Sequence, residues 1–365
     1  MKLTPFALLT LLTASPATAL AGPAAPHYHF QAIVVPGATD VFVAAVNNAG
    51  QAVGYYVTPD SGNRAFLFDG IDVFTLPMPA DRTEALATAI NDNGQIVGYA
   101  TAISENDNST TAMLWDAADL SGYTVIGNDH SYQLDPADIN NNGVVVGLAS
   151  QEGAFRAFTW SQAGGLVDDG VPPNGADAQA YWSAINDAGT IVGGWNPIFA
   201  TAHATIGQFG TPGILPIATG VDDVASMAHD IGESGIAVGE MDIAHNGKSV
   251  PVTFSNGLAS EVPGALLGLA NGSALGINAS GTIVGRAQDF STLTFKAFVA
   301  IDGQAYDLLQ QSDAVADYPY LLTARAINDS GVIVGLGRVG DFNVGSYVAM
   351  PVAGDAIFAD GFDGG

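Results

Sequence analysis

The chain has 365 residues, 48% of them hydrophobic, with 45 glycines, no cysteine, and 36 acidic against nine basic side chains, for a formal net charge of −27. The missing cysteine excludes disulfides, thiolate metal sites and cysteine nucleophiles. The negative field disfavours nucleic acid and anionic lipid surfaces as partners, while abundant glycine with sparse charge suits many short strands joined by tight turns.

The first residues predict an export signal over 1–21. Lys2 supplies the positive start, Phe6–Leu12 the apolar core, and Ala19-Leu20-Ala21 a small-x-small cleavage site. That apolar run is too short to cross a bilayer and no later stretch is long enough, so no transmembrane anchor is expected. Cleavage removes only Lys2 from the charge count, leaving 8 − 36 = −28 on an exported, extracellular or periplasmic chain.

His27–Val35 then reads as a strand, ended by Pro36-Gly37. After it, one phrase recurs seven times: Ala45–Tyr55, Ala89–Tyr99, Asp138–Leu148, Ala184–Gly194, Asp230–Glu240, Gly276–Arg286 and Ala326–Leu336. The closing glycines, Gly54, Gly98, Gly147, Gly193, Gly239, Gly285 and Gly335, are spaced by 44, 49, 46, 46, 46 and 50 residues, a period that signals a solenoid, propeller or array. Within each copy an apolar run leads into Ile-Asn or its variant, an Asn/Asp/Ser/Gly turn follows, and a second apolar run ends in Val-Gly. That is the pattern of a β-hairpin in which Asn forms the turn, and a glycine inside a strand marks a bulge or a close backbone approach.

Each of the first six units offers four strand-like segments, the seventh only three. A closed seven-bladed β-propeller of four-stranded antiparallel blades over 22–352 resolves this, with the N-terminal strand Phe30–Val35 completing blade seven. An open ring would leave unpaired edges. The first strand of each unit is expected innermost, with small residues (Ala45, Ala89, Ala184, Gly276, Ala326) meeting the crowding there and Asp138 and Asp230 replacing them in units three and five. The third strands carry Phe66, Met113, Trp115, Phe158, Trp160, Phe254 and Phe298, expected to pack between blades. Residues 353–365 form a C-terminal tail similar to short tails on some bacterial secreted proteins.

The phrase Ala-Ile-Asn-Asp-x-Gly-Gln-Ile-Val-Gly, followed by segments such as Arg64–Phe68, resembles the bacterial extracellular HAF-repeat proteins, as does Phe30–Ala38. The resemblance spans nearly the whole mature chain and implies export and a repeated β architecture. It supplies no reaction and no catalytic residues. The leading His of the His-Ala-Phe signature survives only at His203, with Arg64, Thr111, Arg156 and Lys296 at the matching positions, so no general role for that His carries over.

Sequence templates for chemistry are absent: no Gly-x-Ser-x-Gly elbow, Walker loop, His-Glu-x-x-His or EF-hand spacing. The glutamates, Glu84, Glu105, Glu152, Glu233, Glu240 and Glu261, form no pair at equivalent positions of neighbouring units. Of six histidines, His27 and His29 alternate along a strand, and two ligands do not define a metal site. Unit five gathers His229, Asp230, Glu233, Glu240, Asp242 and His245. The candidate ligand-binding residues are therefore Asp138, His229 and Asp230 near the channel, with no catalytic residue and no metal assigned. The alternative for these three is polar lining of a wet channel. Asn/Asp turns such as Asn91–Gly94 and Glu105–Asn108 carry oxygen ligands for Ca2+ but lack the alternating acidic pattern of a calcium loop. The expectation is an exported, monomeric, non-enzymatic binding or scaffold module for a polysaccharide, envelope component or protein, held through loops at one end of the ring. A hydrolase or lyase acting on a polysaccharide at the channel mouth is the competing class.

Overall fold

The computed structural model describes residues 25–352 apart from 61, 103–108, 128–132, 152–153, 172–178, 197–200, 221–223, 313–317 and 341–342. The expected signal segment and tail, together with Glu105, His130 and Glu152, lie outside the described residues. The 28 strands among the described residues form seven four-stranded antiparallel sheets, one per sequence repeat. Blade 1 consists of Asp40–Val46, Ala52–Thr58, Gly62–Phe68 and Val73–Thr75. Blades 2 to 6 repeat this order through Gln304–Asp307.

Blade 7 contains Leu321–Ile327, Ile333–Val339 and Asn343–Pro351, and its outer strand is the N-terminal Tyr28–Ile33. That strand pairs antiparallel with Asn343–Pro351, so the two ends of the chain close the ring. Side chains reinforce the seam. Buried Ser346 donates through Oγ to the Val41 carbonyl (2.8 Å) and accepts from the Val43 N–H (2.7 Å), while Asp40 accepts from the Val344 N–H (2.8 Å).

The core is seven apolar clusters, one in each gap between successive blades. The third-strand aromatics fill these gaps as expected: Phe66, Phe158 and Phe298 are wholly buried, and Trp115 also donates its indole N–H to the Pro77 carbonyl (2.7 Å).

Each closing glycine answers to one backbone irregularity. The innermost strand of every blade carries a bulge opposite that glycine: Ala87 pairs with Gly98 and Ala89 with Val97, leaving Thr88 as the extra residue. The same shift recurs in all seven blades. A Cβ on the glycine would collide with the carbonyl oxygen of the strand it faces: Phe42 for Gly54, Leu86 for Gly98, Tyr181 for Gly193 and Met227 for Gly239. Only glycine admits this approach.

The Asn of each turn does two jobs. Asn91 Oδ1 accepts from the Asn93 and Gln95 N–H groups and holds its own turn, while its Nδ2 donates to the Asn140 carbonyl of the next blade (2.8 Å). Asn47, Asn140, Asn186, Asn278 and Asn328 make the equivalent bridge, and the belt is interrupted at Gly232, which has no side chain to offer.

Candidate functional site

Seven β-branched residues, Val46, Ile90, Ile139, Ile185, Ile231, Ile277 and Ile327, form a girdle inside the ring, one from the end of each inner strand. They divide the axial channel into a shallow mouth of about 360 Å³ and a wider chamber of about 770 Å³.

The mouth is lined by the turn residues that follow each Asn or, in blade 5, Gly232: Asn48, Asp92, Asn141, Asp187, Glu233, Ala279 and Asp329. Their polar groups are largely spent on one another. Asp92 accepts from the Asn48 backbone N–H and from the Asn48 and Asn141 amides; Asp187 accepts from Asn141 in the same two ways; and Asp329 accepts from Asn48 Nδ2 and the Ala279 N–H. The arrangement is a second inter-blade belt. Among the described residues no group of three or more His, Cys, Asp or Glu side chains is placed to hold a metal ion.

The wide chamber is different. Its wall includes all seven bulge residues, Ala44, Thr88, Ala137, Ser183, His229, Leu275 and Arg325. A bulge breaks the alternation of a strand and re-aims a side chain, so one repeated backbone feature projects seven side chains of six kinds toward the axis. Around them stand Phe42 and Tyr55, whose rings stack at 4.8 Å and 19°, with Tyr99, Asp135 and Tyr181. The chamber opens at the end where inner strands begin. There the connections from second to third strands differ in length between blades, as between Thr58 and Gly62 or Thr101 and Thr110. The turns at the opposite end are nearly uniform.

All three residues singled out from sequence, Asp138, His229 and Asp230, line this chamber. The two aspartates are inter-blade bonds as well as wall. Asp138 accepts from the Ile139 N–H and, across the gap, from the Ile185 N–H (2.9 Å); Asp230 accepts likewise from Ile231 and Ile277 (2.9 Å). Burial outweighs these hydrogen bonds and raises both carboxyls, Asp138 to about 7, with the nearby Asp230 charge adding to the effect. His229 lies 3.9 Å from Glu240, which also accepts from Ser273. Burial would raise Glu240, but the bonds from His229 and Ser273 and the Arg286 charge hold it below the usual range.

Two polar atoms in the chamber wall, Asp135 Oδ1 and the Tyr181 hydroxyl, are buried without a hydrogen-bond partner. Burial raises Asp135, with a bond from Thr110 opposing it, and pushes Tyr181 up to about 12. Tyr181 lies over Gly194, where a Cβ would strike its ring. The Gly-Gly ending of repeat four therefore makes room for this tyrosine. Tyr55, Tyr99, Asp135, Tyr181 and Arg325 escaped the sequence reading. Aligning the repeats three residues before each Asn would have placed Arg325 level with His229.

No protein-family model matches the chain, and no curated protein matches it. Solved structures do, at the level of the fold. A puromycin-hydrolysing peptidase from Mycobacterium tuberculosis aligns with TM-score 0.58 and 10% identity over 90% of this chain and 55% of the peptidase. An oligogalacturonate lyase in complex with manganese aligns at 0.57 and 9%, covering 89% of this chain and 97% of the lyase. The β-propeller domain of the Trilobed protease from Pyrococcus furiosus, which has an open velcro topology, aligns at 0.54 and 8% over 86% and 98%. Against three matched chains, the peptidase among them, this chain spans 50, 55 and 62% of their own length. Identities this low show shared architecture alone: the chain is a seven-bladed β-propeller whose terminal strand, unlike that of the Pyrococcus domain, closes the ring.

Proposed function

We propose that this protein is a binding module that admits a polyhydroxylated ligand, an envelope or extracellular carbohydrate, into the wide chamber. One observation carries the reading: strands from several blades bring Tyr55, Tyr99, Tyr181, Ser183, His229 and Arg325 around one chamber, aromatic faces mixed with hydrogen-bonding groups. Ser183, His229 and Arg325 offer hydrogen bonds to sugar hydroxyls, and the faces of Tyr55, Tyr99 and Tyr181 suit the apolar face of a pyranose. The chamber volume of about 770 Å³ falls within the range of small-ligand sites. The leader pattern of Lys2, Phe6–Leu12 and Ala19–Ala21 supports action outside the cytoplasm.

A second reading, polysaccharide cleavage, draws on one specific feature. Asp135, raised by burial, and His229 both line the chamber, and a carboxyl and an imidazole facing one polymer suit acid and base roles.

The test is retention of an oligosaccharide panel on purified protein, with products followed by mass spectrometry. Ser183→Trp places an indole at a bulge position and should fill the chamber while leaving the melting temperature near wild type. Binding should fall at least about tenfold, the scale of 1.4 kcal/mol. Equal binding by Ser183→Trp would remove the chamber as the seat. Shortened products that vanish in Asp135→Asn would establish the enzyme reading instead.

A further inference from the structure

We propose that the chamber's ligand is an acidic saccharide, a hexuronate, whose carboxylate is anchored by Arg325. The inference rests on the binding reading above and narrows it to a substrate class. Arg325 is the bulge residue of blade 7 and lines the chamber, where it is exposed; among the described residues it makes no hydrogen bond or ion pair, and Arg286 and Tyr55 are its electrostatic neighbours. The chain has 36 acidic side chains and only nine Lys and Arg. A guanidinium exposed in the chamber and held by no protein group is available to an anion brought from outside.

The surroundings agree. Crowding by the surrounding ring, and then the Arg286 charge, lower the Arg325 pKa, with Tyr55 opposing them, so two guanidiniums repel one another across this part of the ring. Arg286 keeps a buried Nε without a partner. An incoming anion relieves that repulsion, and a planar carboxylate matches the guanidinium fork through two parallel hydrogen bonds. Elsewhere on the same wall Ser183 and His229 offer hydrogen bonds to hydroxyl groups. A ligand with both a carboxylate and hydroxyl groups suits the guanidinium and these side chains together.

The experiment measures calorimetric binding of glucuronate, galacturonate and mannuronate trimers, each beside its methyl ester, which keeps the shape and removes the charge. Inorganic phosphate and a sugar phosphate serve as competitors. Blade 1 carries Ala44 where blade 7 carries Arg325, so Arg325→Ala is compatible with the bulge, and its melting temperature is checked alongside. At least one free acid should bind about tenfold or more tightly than its ester, as expected for a charge-assisted pair. Arg325→Ala should abolish that preference while leaving ester affinity within about twofold. Equal binding of acid and ester, a preference that survives Arg325→Ala, or tighter binding of phosphate would overturn the proposal. If acids and esters bind equally and both are lost in Ser183→Trp, the carbohydrate seat stands and the anion anchor falls. If Ser183→Trp loses nothing, both fall.

Discussion

Gly98 shows how closely one atom can be specified. Its missing Cβ lets the Leu86 carbonyl approach, and that approach exists because Thr88 is extruded as a bulge. Gly98→Ala should therefore cost on the order of 2–4 kcal/mol in urea unfolding, as overpacking against backbone does. Gly122, on an outer strand with open space around its Cα, provides the comparison: Gly122→Ala should change stability by less than about 0.5 kcal/mol. A similar loss at both would show that strand glycine entropy, and not the close approach, sets the repeat.

Asp138 belongs to the same scale. Its folded pKa, about 7, lies above the ordinary carboxyl value, so the folded chain holds a proton there that the unfolded chain has lost. The associated stability is fully present below about pH 4 and is lost as pH rises toward 7, by at most about 4 kcal/mol. Asp138→Asn removes the titration. Its melting temperature should vary less between pH 4.5 and 7.5 than that of wild type; parallel curves would show that Asp138 ionises normally.

At the scale of the element, the unit is a hairpin joined to its neighbour by one asparagine. Asn91→Ala removes the bridge to Asn140 and both bonds that hold its own turn, and a loss of roughly 2–3 kcal/mol is expected. The belt has a gap at Gly232, where a Cβ would meet only ordinary contacts from Ile277 and Ser234. Gly232→Asn should close it toward the Asn278 carbonyl and stabilise by about 1 kcal/mol, read as a higher urea midpoint at unchanged slope. A lower midpoint would mean that the break between blades five and six is tolerated for another reason.

For the whole molecule, the closing strand decides cooperativity. Tyr28 and Ile33 are buried in the clusters on either side of blade 7, and Asn343–Pro351 loses its partner without them. Removing residues 1–33 exposes that edge. The shortened protein should unfold in a broadened, lower transition by calorimetry and self-associate through the free edge. A single sharp transition at the wild-type temperature would show the seam to be dispensable.

The repeat period, the count of seven blades and the N-terminal completion of the last blade were all legible from Gly54 to Gly335, because each copy carries its own turn chemistry and a ring must pair every edge. Asp138, His229 and Asp230 stood out as departures from a repeated pattern, and they do share one chamber. Their surroundings could not be read the same way. Arg325, Tyr181 and Asp135 come from separate repeats, and no local spacing relates them. They line one chamber only because the inner strand of every blade, Arg325 at its bulge and Asp135 and Tyr181 just before theirs, faces a common axis that ring closure sets. Whether Asp138 caps the next blade or waits for a ligand was decided by a backbone N–H from blade 4, a neighbour that exists only in the folded ring.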